Sequence, residues 1–423
     1  MNNVRNVLLQ QKAELEKRFK ELYIERDTRP KIGSVKDNLI RVIIGPRRAG
    51  KSFFAVHWLN KNAKFGYINF DDEKLAAAKD FDELLAVADS LYGSPEFLLL
   101  DEIQNFPKWE LVANRLQRQG RKLFITGSNS NLLSKELATH LTGRHLQITV
   151  FPFSFREFIK QQNQEMSTAQ TTEKLFEYAT HGGYPEPLVK NINHNEYLST
   201  LFDSIIFKDI VKRYKIRKPG AIEDLAQFLL SNAGSEYSFQ RLAELTKSKS
   251  AHTVQKYLGY LEEAFLLFSL KRFSFKTREQ LASNKKIYAI DNGFISAKSS
   301  KLTQDIGKLY ENIVAVHLKK AEIDGKLDFY YWKNPQHEEV DFIIKENTKI
   351  TALIQVCYDV SNPDTKKREI RSLIKAKQEL KCSELLILTN DYEAEESAEW
   401  YGEKAKIKFI PLWKWLLEKE PTG

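Results

Sequence analysis

Apolar side chains recur every three or four positions near the start of the chain, at Val4, Leu8, Leu15, Phe19 and Leu22. This period is that of an amphipathic helix, and the Arg29-Pro30 pair is expected to end it. After residue 38 the pattern changes to short apolar runs separated by longer amphipathic stretches. These runs cover 39–44, 65–70, 96–100 and 122–126. Continuous apolar runs between helical patterns predict a parallel sheet covered by helices on both faces.

The rest of the chain predicts further units. Residues 157–218 have an almost wholly helical pattern, 220–300 show three helical patterns followed by strand-like runs, and 305–423 combine a helix with strands. The strands of this last part are predicted at 327–332, 340–345, 351–356 and 384–389. We therefore predict an N-terminal helix at 1–30, an α/β core at 31–160, a helical lid at 161–218, a third unit at 219–300 and a fourth at 301–423.

Composition narrows the class of protein. The net charge is +9 and the isoelectric point about 9.1, which is compatible with a polyanionic partner without identifying one. Two cysteines, Cys357 and Cys382, are too few for a disulfide framework or a structural zinc site. No apolar run approaches the roughly 18 residues that a membrane helix needs. We expect a soluble cytoplasmic protein with no membrane contact.

Residues 45–52 read GPRRAGKS and fit the phosphate-binding pattern G-x-x-x-x-G-K-[ST] between a predicted strand and a predicted helix. Two glycines let the backbone curl so that its N–H groups face phosphate oxygens. Lys51 is expected to contact the β- and γ-phosphates of ATP, and the Ser52 hydroxyl to ligate Mg²⁺. The predicted nucleotide contacts are Gly45, Pro46, Arg47, Arg48, Ala49, Gly50, Lys51, Ser52 and Phe53.

The apolar strand in FLLLDEIQ (97–104) ends in two carboxylates. Asp101 is predicted to hold Mg²⁺ together with Ser52, the Walker B role, and Glu102 to polarise the attacking water as a general base. Asn129, after the next apolar run, is a candidate γ-phosphate sensor, although it also fits an ordinary turn. The adjacent base favours hydrolysis over a small-molecule kinase, and no N-K-x-D motif of a GTPase is present.

Eight motifs occur in an order that resembles a known family. They are GPRRAGKS, YINFDDE (67–73), LLLDEIQ (98–104), ITGSNSNLLS (125–134), LTGRHLQITVFPFSFREF (141–158), GGYPE (182–186), KIYAIDNGF (286–294) and YENIVAVHL (310–318). The chain resembles the archaeal and bacterial AAA-type ATPases that carry a C-terminal domain of unknown function. This resemblance implies an AAA+ P-loop core, a winged-helix domain and a restriction-endonuclease-like α/β domain.

The same resemblance assigns a role to Arg144, the arginine of LTGR. Such an arginine can reach the γ-phosphate of a neighbouring subunit and stabilise the charge of the transition state, which would require a homo-oligomer. The alternative is a helix C-terminal arginine that bonds its own carbonyls.

Residues 219–300 are a winged-helix candidate. Helical patterns at Ser238–Leu245 and Ala251–Leu261 precede strand-like runs at 264–275 and 285–291, which a basic loop joins. Such a unit can place one helix in the DNA major groove and its wing on phosphates. The predicted DNA contacts are Lys247, Lys249, His252, Lys256, Lys271, Arg272, Lys276 and Arg278. A purely internal role of this domain is the alternative.

The restriction-endonuclease-like reading assigns Glu311, Asp341 and Gln355 to a nuclease-like remnant. In such domains an (E/Q)-x-K triplet supplies a lysine, but Cys357 stands at that position. The domain is therefore predicted to be catalytically inactive. We expect an oligomeric Mg-ATPase that remodels or translocates DNA. The alternatives are a nucleotide-switched regulatory or scaffold protein that acts on a protein partner, and an ATP-regulated, Mg-dependent nuclease.

Overall fold

The structure is a computed structural model. It describes residues 2–28, 37–76, 80–127, 143–161, 166–248, 250–299 and 305–418. The chain divides into two compact units, one formed by 1–152 with 263–265 and the other by 153–262 with 266–423. Across the described ranges, no helix is both long enough and apolar enough to cross a bilayer.

The first unit is built on a five-stranded sheet whose paired strands are all parallel, in the order β2-β3-β4-β1-β5. The strands are β1 (Ile40–Ile44), β2 (Phe65–Asn69), β3 (Phe97–Asp101), β4 (Lys122–Thr126) and β5 (His145–Thr149). The helices are α1 (Asn2–Arg18), α2 (Lys51–Asn62), α3 (Glu73–Ala76), α4 (Phe81–Tyr92) and α5 (Trp109–Arg118), and a 3₁₀ turn covers Ile103–Asn105. The parallel sheet and its four predicted strands are confirmed, and β5 is an additional edge strand.

The N-terminal helix is an integral part of this unit. Leu8 and Leu15 of α1 are buried, and Leu15 packs in the same apolar cluster as Phe54 of α2 and Phe124 of β4. On α1 the Gln11 amide also pairs with the backbone of Asn69 on the edge strand β2, accepting from its N–H and donating to its carbonyl, both at 3.0 Å. The helix therefore covers a free strand edge as well as an apolar face.

The second unit begins with helices, as the pattern of 157–218 predicts. They are Phe155–Lys160, Thr168–His181, Pro185–Lys190, His194–Ser204, a π-helical stretch at Ile205–Val211, Lys212–Tyr214 and Pro219–Ser231. A three-stranded antiparallel sheet follows in the order β6-β8-β7, formed by β6 (Glu236–Tyr237), β7 (Leu267–Leu270) and β8 (Lys285–Ala289). Its helices are Phe239–Leu245, Ala251–Glu263, Thr277–Ala282 and Asn292–Lys298.

The C-terminal part of the second unit has a six-stranded mixed sheet in the order β13-β14-β12-β11-β10-β9. Its strands are β9 (Asp328–Lys333), β10 (Glu339–Glu346), β11 (Lys349–Val356), β12 (Leu385–Thr389), β13 (Ala394–Trp400) and β14 (Glu403–Pro411). The accompanying helices are Ile306–Ile323, Pro363–Leu380 and Leu412–Leu417. The four predicted strands are present, and β13 and β14 were not predicted.

A buried carboxylate explains two of the glycine-containing motifs. Asp291 accepts hydrogen bonds from the N–H groups of Gly183 (2.7 Å) and Gly293 (2.9 Å). A Cβ atom on Gly182 would lie 1.9 Å from the carboxylate, and the φ of that residue is +77°. GGYPE and the Asp291 segment thus form one close-packed junction, in which only glycine fits at 182. Burial raises the pKa of Asp291 to about 6.

Candidate functional site

The phosphate-binding loop lies between the carboxyl end of β1 and the start of α2. Gly45, Arg48 and Gly50 all have positive φ angles (144°, 64° and 89°), so the backbone curls tightly between strand and helix. A Cβ on Gly45 would lie 2.1 Å from the carbonyl oxygen of Val150, which excludes any other residue there. The loop leads directly into the amino end of α2, where N–H groups and the helix dipole favour an anion.

Lys51 is buried inside this loop. Its ammonium donates to the carbonyl oxygens of Gly45 (3.1 Å) and Pro46 (2.8 Å), so the loop itself fixes the position of the charge. Of the other predicted contact residues, Ala49 is buried, Arg47 is half-buried and Arg48 is exposed. The Phe53 ring points to an aromatic cluster, with its centroid 4.4 Å from that of His57.

Asp101 is the centre of the site. It is buried, and its Oδ1 accepts from the Ser52 hydroxyl at 2.7 Å and from the Thr126 hydroxyl, while Oδ2 accepts from the Tyr67 hydroxyl at 3.0 Å. The structure thus brings the two predicted metal ligands, Ser52 and Asp101, into direct contact. A hydroxyl and a carboxylate are the hard oxygen donors that Mg²⁺ prefers, so these two residues fit the ion.

Glu102 follows immediately on a strained backbone, with a φ of 51°. Its N–H donates to Thr126 Oγ1 at 3.0 Å, and its carboxylate accepts a hydrogen bond from the Gln104 amide. Burial, reinforced by the charge of Asp101, raises the pKa of Glu102 although Lys51 acts in the opposite direction. A carboxylate with a raised pKa is a stronger proton acceptor, as a general base requires.

Two residues of the predicted ATPase site remain, Asn129 and Arg144. Asn129 lies outside the described residues. Arg144 is exposed and immediately precedes β5, where its carbonyl accepts from the N–H of Ile40 at 2.9 Å. Since β1 and β5 are parallel, Arg144 lies at the amino end of the sheet. The phosphate loop lies at the carboxyl end, roughly 15 Å away for a five-residue strand.

The three residues of the predicted nuclease remnant do meet, beside a cavity of about 440 Å³ in the second unit. Asp341 on β10 accepts from the N–H of Val356 at 2.9 Å, and its own N–H donates to the Gln355 side chain at 3.2 Å. Gln355 in turn donates to Glu369 at 2.5 Å. Glu311 of helix Ile306–Ile323 lines the same cavity.

The sequence reasoning missed Lys286 of β8, which completes this group. Its ammonium is buried 2.6 Å from Glu339, 2.9 Å from Glu311 and 3.4 Å from Asp341. Burial on its own would lower the pKa of Lys286, but Glu311 above all holds that pKa well above its ordinary value. A lysine inside an apolar strand pattern signals buried carboxylate partners, so KKIYAID could have indicated it.

The environment of Lys286 decides what the carboxylates can bind. A charged ammonium already lies between the side chains that a divalent cation would need. Over the described parts of the chain, no group of three or more His, Cys, Asp or Glu side chains is arranged to hold a metal ion. The nuclease-type metal that a restriction-endonuclease-like domain implies therefore does not fit this cavity.

Neither Lys345 nor Cys357 can take the role of the lysine that the nuclease triplet would supply. Lys345, close in sequence, pairs with Asp328 at 3.3 Å. Cys357 is buried and its thiol donates to the carbonyl of Asp359 at 3.3 Å. Burial raises the pKa of Cys357 to about 11, so the thiol stays protonated near neutral pH.

The predicted DNA contacts are mostly exposed. Exposed side chains are those of Lys247, His252, Lys256, Lys271, Lys276 and Arg278. Arg272 is engaged internally because it donates to the carbonyl of Lys333, and Lys276 forms an ion pair with Glu279 at 2.9 Å. Lys249 lies outside the described residues. Two large apolar side chains of the same segment, Phe275 (72% exposed) and Leu281 (70% exposed), also face solvent.

Family models match three parts of the chain. A family model for an AAA domain matches residues 37–159, and models for two domains of unknown function, DUF8612 and DUF4143, match 172–305 and 306–415. Among solved structures, the Walker-type ATPase PABY2304 of Pyrococcus abyssi is similar, with 14% identity, a TM-score of 0.42, and coverage of 62% of this chain and 91% of that one.

Two relatives are similar over most of their length. The uncharacterized protein MJ1544 of Methanocaldococcus jannaschii is 36% identical over 399 residues, which cover 90% of this chain and 88% of the relative. An uncharacterized protein of Haemophilus influenzae is 32% identical over 350 residues, covering 76% and 83% respectively. This chain therefore belongs to the same protein family as MJ1544, and it carries an AAA domain followed by two domains of unknown function.

Proposed function

We propose that this protein binds Mg-ATP and hydrolyses it to ADP and phosphate. The observation that carries the proposal is the 2.7 Å contact between the Ser52 hydroxyl and the Asp101 carboxylate, next to the buried Lys51 and the half-buried Glu102. Residues from two separate motifs thus supply a phosphate-binding loop, a metal-binding pair and a base.

Each side chain then has one role. The N–H groups of the loop and the Lys51 ammonium bind the phosphates, and Ser52 and Asp101 would hold Mg²⁺, which neutralises phosphate charge. Glu102 orients the attacking water and accepts its proton, since its raised pKa makes it a better base than an ordinary glutamate. The Thr126 hydroxyl accepts a hydrogen bond from the N–H of Glu102 and donates one to the Asp101 carboxylate, which fixes the two residues relative to each other.

Two variants separate binding from chemistry. In Lys51→Ala, a fluorescent ATP analogue should no longer bind, because the ammonium that contacts the phosphates is lost. In Glu102→Gln, the analogue should bind as in the unmodified protein, but phosphate release should stop. Ordinary turnover by Glu102→Gln would remove Glu102 from the role of base, and unchanged affinity in Lys51→Ala would remove the loop from ATP binding.

We further propose that the protein acts on DNA. Lys271, Lys276 and Arg278 are exposed basic side chains of one segment. The exposed Phe275 lies among these basic residues, and an aromatic face beside cations suits stacking on bases next to phosphates. This surface supports coupling of ATP hydrolysis to DNA remodelling or translocation, with 219–300 as a winged-helix domain.

DNA binding is tested by measuring ATP hydrolysis with duplex, single-stranded and four-way-junction DNA at two salt concentrations. One DNA form should stimulate hydrolysis, and the double variant Lys271→Ala/Arg278→Ala should weaken binding and flatten its salt dependence. Lys404→Ala/Lys406→Ala, at two lysines elsewhere that are 82% and 78% exposed, is the charge-matched control. Flat hydrolysis without salt-sensitive binding would favour the alternative, a nucleotide switch that acts on a protein partner.

The position of Arg144 supports an oligomer. At the end of the sheet opposite the phosphate loop, an exposed arginine is too far from a nucleotide bound to its own subunit. This position supports a contact with a nucleotide held by a neighbouring copy, the role of an arginine finger in trans. We therefore propose a homo-oligomer as the active form.

The six-stranded domain is proposed to be catalytically inactive. Lys286 already compensates the charges of Glu311, Glu339 and Asp341, which supports a structural role for the group. Mg²⁺-dependent DNA cleavage that disappears in both Asp341→Ala and Lys286→Ala would overturn this proposal and establish the third alternative, an ATP-regulated nuclease.

A further inference from the structure

The motif YINFDDE places a tyrosine behind the metal-binding carboxylate. The hydroxyl of Tyr67 on β2 donates to Asp101 Oδ2 at 3.0 Å, and it accepts a hydrogen bond from Nη1 of Arg18 at 3.1 Å. Arg18 is the last residue of α1, so a chain of two hydrogen bonds joins the N-terminal helix to Asp101.

The geometry leaves the tyrosine proton one destination. Tyr67 is buried, and its hydroxyl lies between the Arg18 guanidinium and the Asp101 carboxylate. Because Arg18 can only donate, the phenol oxygen accepts from Arg18 and its proton goes to Asp101. A hydrogen bond supported by a neighbouring cation is stronger than a neutral one.

The position of Arg18 is itself fixed by the way α1 packs. Leu8 and Leu15 are buried, Gln11 pairs with the backbone of Asn69 on β2, and Lys12 donates to the carbonyl of Leu91 at 2.9 Å. Asn69 is aligned with Asp101 in the β2–β3 register. Helix α1 therefore contacts β2 through Arg18 at Tyr67 and through Gln11 at Asn69, and the second contact lies beside Asp101.

We propose that Arg18 and Tyr67 are positioning residues that set the orientation of the Asp101 carboxylate, so that docking of the N-terminal helix and binding of Mg-nucleotide favour each other. With Oδ1 held by Ser52 and Thr126, the bond from Tyr67 to Oδ2 fixes the rotation of the carboxylate. Without it, the carboxylate must be reoriented when the metal binds. The inference rests on the proposed Mg-ATP site.

The test compares Tyr67→Phe with a matched control, Tyr92→Phe. Tyr92 belongs to α4 and lies under Lys12 of α1, but its hydroxyl has no hydrogen-bond partner among the described residues. At saturating ATP, Tyr67→Phe should raise the Mg²⁺ concentration for half-maximal hydrolysis by roughly 3- to 10-fold, the effect of one lost hydrogen bond. Tyr92→Phe should leave it unchanged, since a purely structural loss of a hydroxyl would affect both.

Arg18 gives an independent variant at a half-buried position, in case Tyr67→Phe does not fold. Arg18→Met should raise the Mg²⁺ requirement as Tyr67→Phe does, and Arg18→Lys should restore part of the loss. A second measurement, which needs no turnover, is the increase in affinity for a fluorescent ATP analogue when Mg²⁺ is added. This increase should be smaller in Arg18→Met and Tyr67→Phe than in the unmodified protein, and partly restored in Arg18→Lys.

The two readouts distinguish the inference from the proposed function. If the unmodified protein shows Mg²⁺-tightened nucleotide binding without hydrolysis, and the variants weaken that tightening, the function fails and the inference stands. If Tyr67→Phe and Arg18→Met require the same Mg²⁺ concentration as Tyr92→Phe, the inference is wrong while the ATPase is untouched.

Discussion

Three side chains from three different elements donate hydrogen bonds to Asp101. Ser52 comes from α2, Tyr67 from β2 and Thr126 from β4, while Asp101 ends β3. Ser52, Asp101 and Glu102 could be predicted because each has a fixed place in a local motif. Tyr67 and Thr126 could not, since their roles depend on which strands are neighbours in the sheet, and no local pattern records that order.

The raised pKa of Glu102 predicts the acid side of the pH profile of hydrolysis. A general base works only when deprotonated, so activity should fall as the pH drops towards a pKa above the ordinary glutamate value of 4.5. The measurement is kcat against pH at saturating Mg-ATP. An acid limb at or below the ordinary glutamate pKa would argue that another group limits the reaction.

At the scale of elements, the predicted strands were those with continuous apolar runs. The edge strand β13 was missed because its sequence, AEESAEW, is mostly polar and its residues alternate between half-buried and exposed. β14 carried a usable signal, since Ala405, Ile407 and Phe409 alternate with lysines in the period of two of a half-buried strand. Lys286 was missed for another reason, because its three carboxylates lie 25 to 55 residues further along the chain.

The Lys286 cluster predicts a large loss of stability in Lys286→Met. The substitution keeps most of the length of the side chain but removes the counter-charge of the buried Asp341 and the half-buried Glu311, while Glu339 keeps Lys333 at 3.6 Å. This loss should cost about 3–5 kcal/mol of unfolding free energy. Urea unfolding followed by tryptophan fluorescence measures this. Lys286→Met/Asp341→Asn should recover part of the loss, and an unchanged unfolding midpoint in the single variant would show that the cluster contributes little.

The Asp291 junction predicts a pH-dependent stability. The folded pKa of about 6 lies above the ordinary aspartate value of 3.8, so protonated Asp291 stabilises the fold at low pH, and that contribution is lost as the pH rises through 6. Between pH 5 and 7.5 the unfolding free energy should fall by about 1 kcal/mol relative to Asp291→Asn, since 6 − 5 is one pKa unit. A difference that is constant over this range would contradict the raised pKa.

For the whole molecule, sequence motifs predicted the AAA domain and the α/β character, and the structure adds the division into two compact units. The net charge of +9 is compatible with a polyanionic partner but does not identify one. The DNA contacts and the oligomer stay predictions, because each concerns a partner or an assembly that one chain does not contain. The domain boundaries also stay predictions.

The trans role of Arg144 predicts complementation between two inactive proteins. Arg144→Ala should hydrolyse ATP slowly while retaining nucleotide binding, and Lys51→Ala should not bind ATP. In a mixture, a Lys51→Ala subunit can offer its Arg144 to a neighbour with an intact loop, so activity should rise above that of either variant alone. No recovery at any mixing ratio would contradict a finger in trans.

The most direct test of the central claim is steady-state phosphate release from Mg-ATP by the full-length protein, with Lys51→Ala prepared in parallel to control for contaminating ATPases. We expect saturable, Mg²⁺-dependent phosphate release by the unmodified protein and none by Lys51→Ala. Equal release by the two proteins, or none by either across Mg²⁺ and ATP concentrations, would contradict the assignment of Lys51, Ser52, Asp101 and Glu102 as an ATP-hydrolysing site.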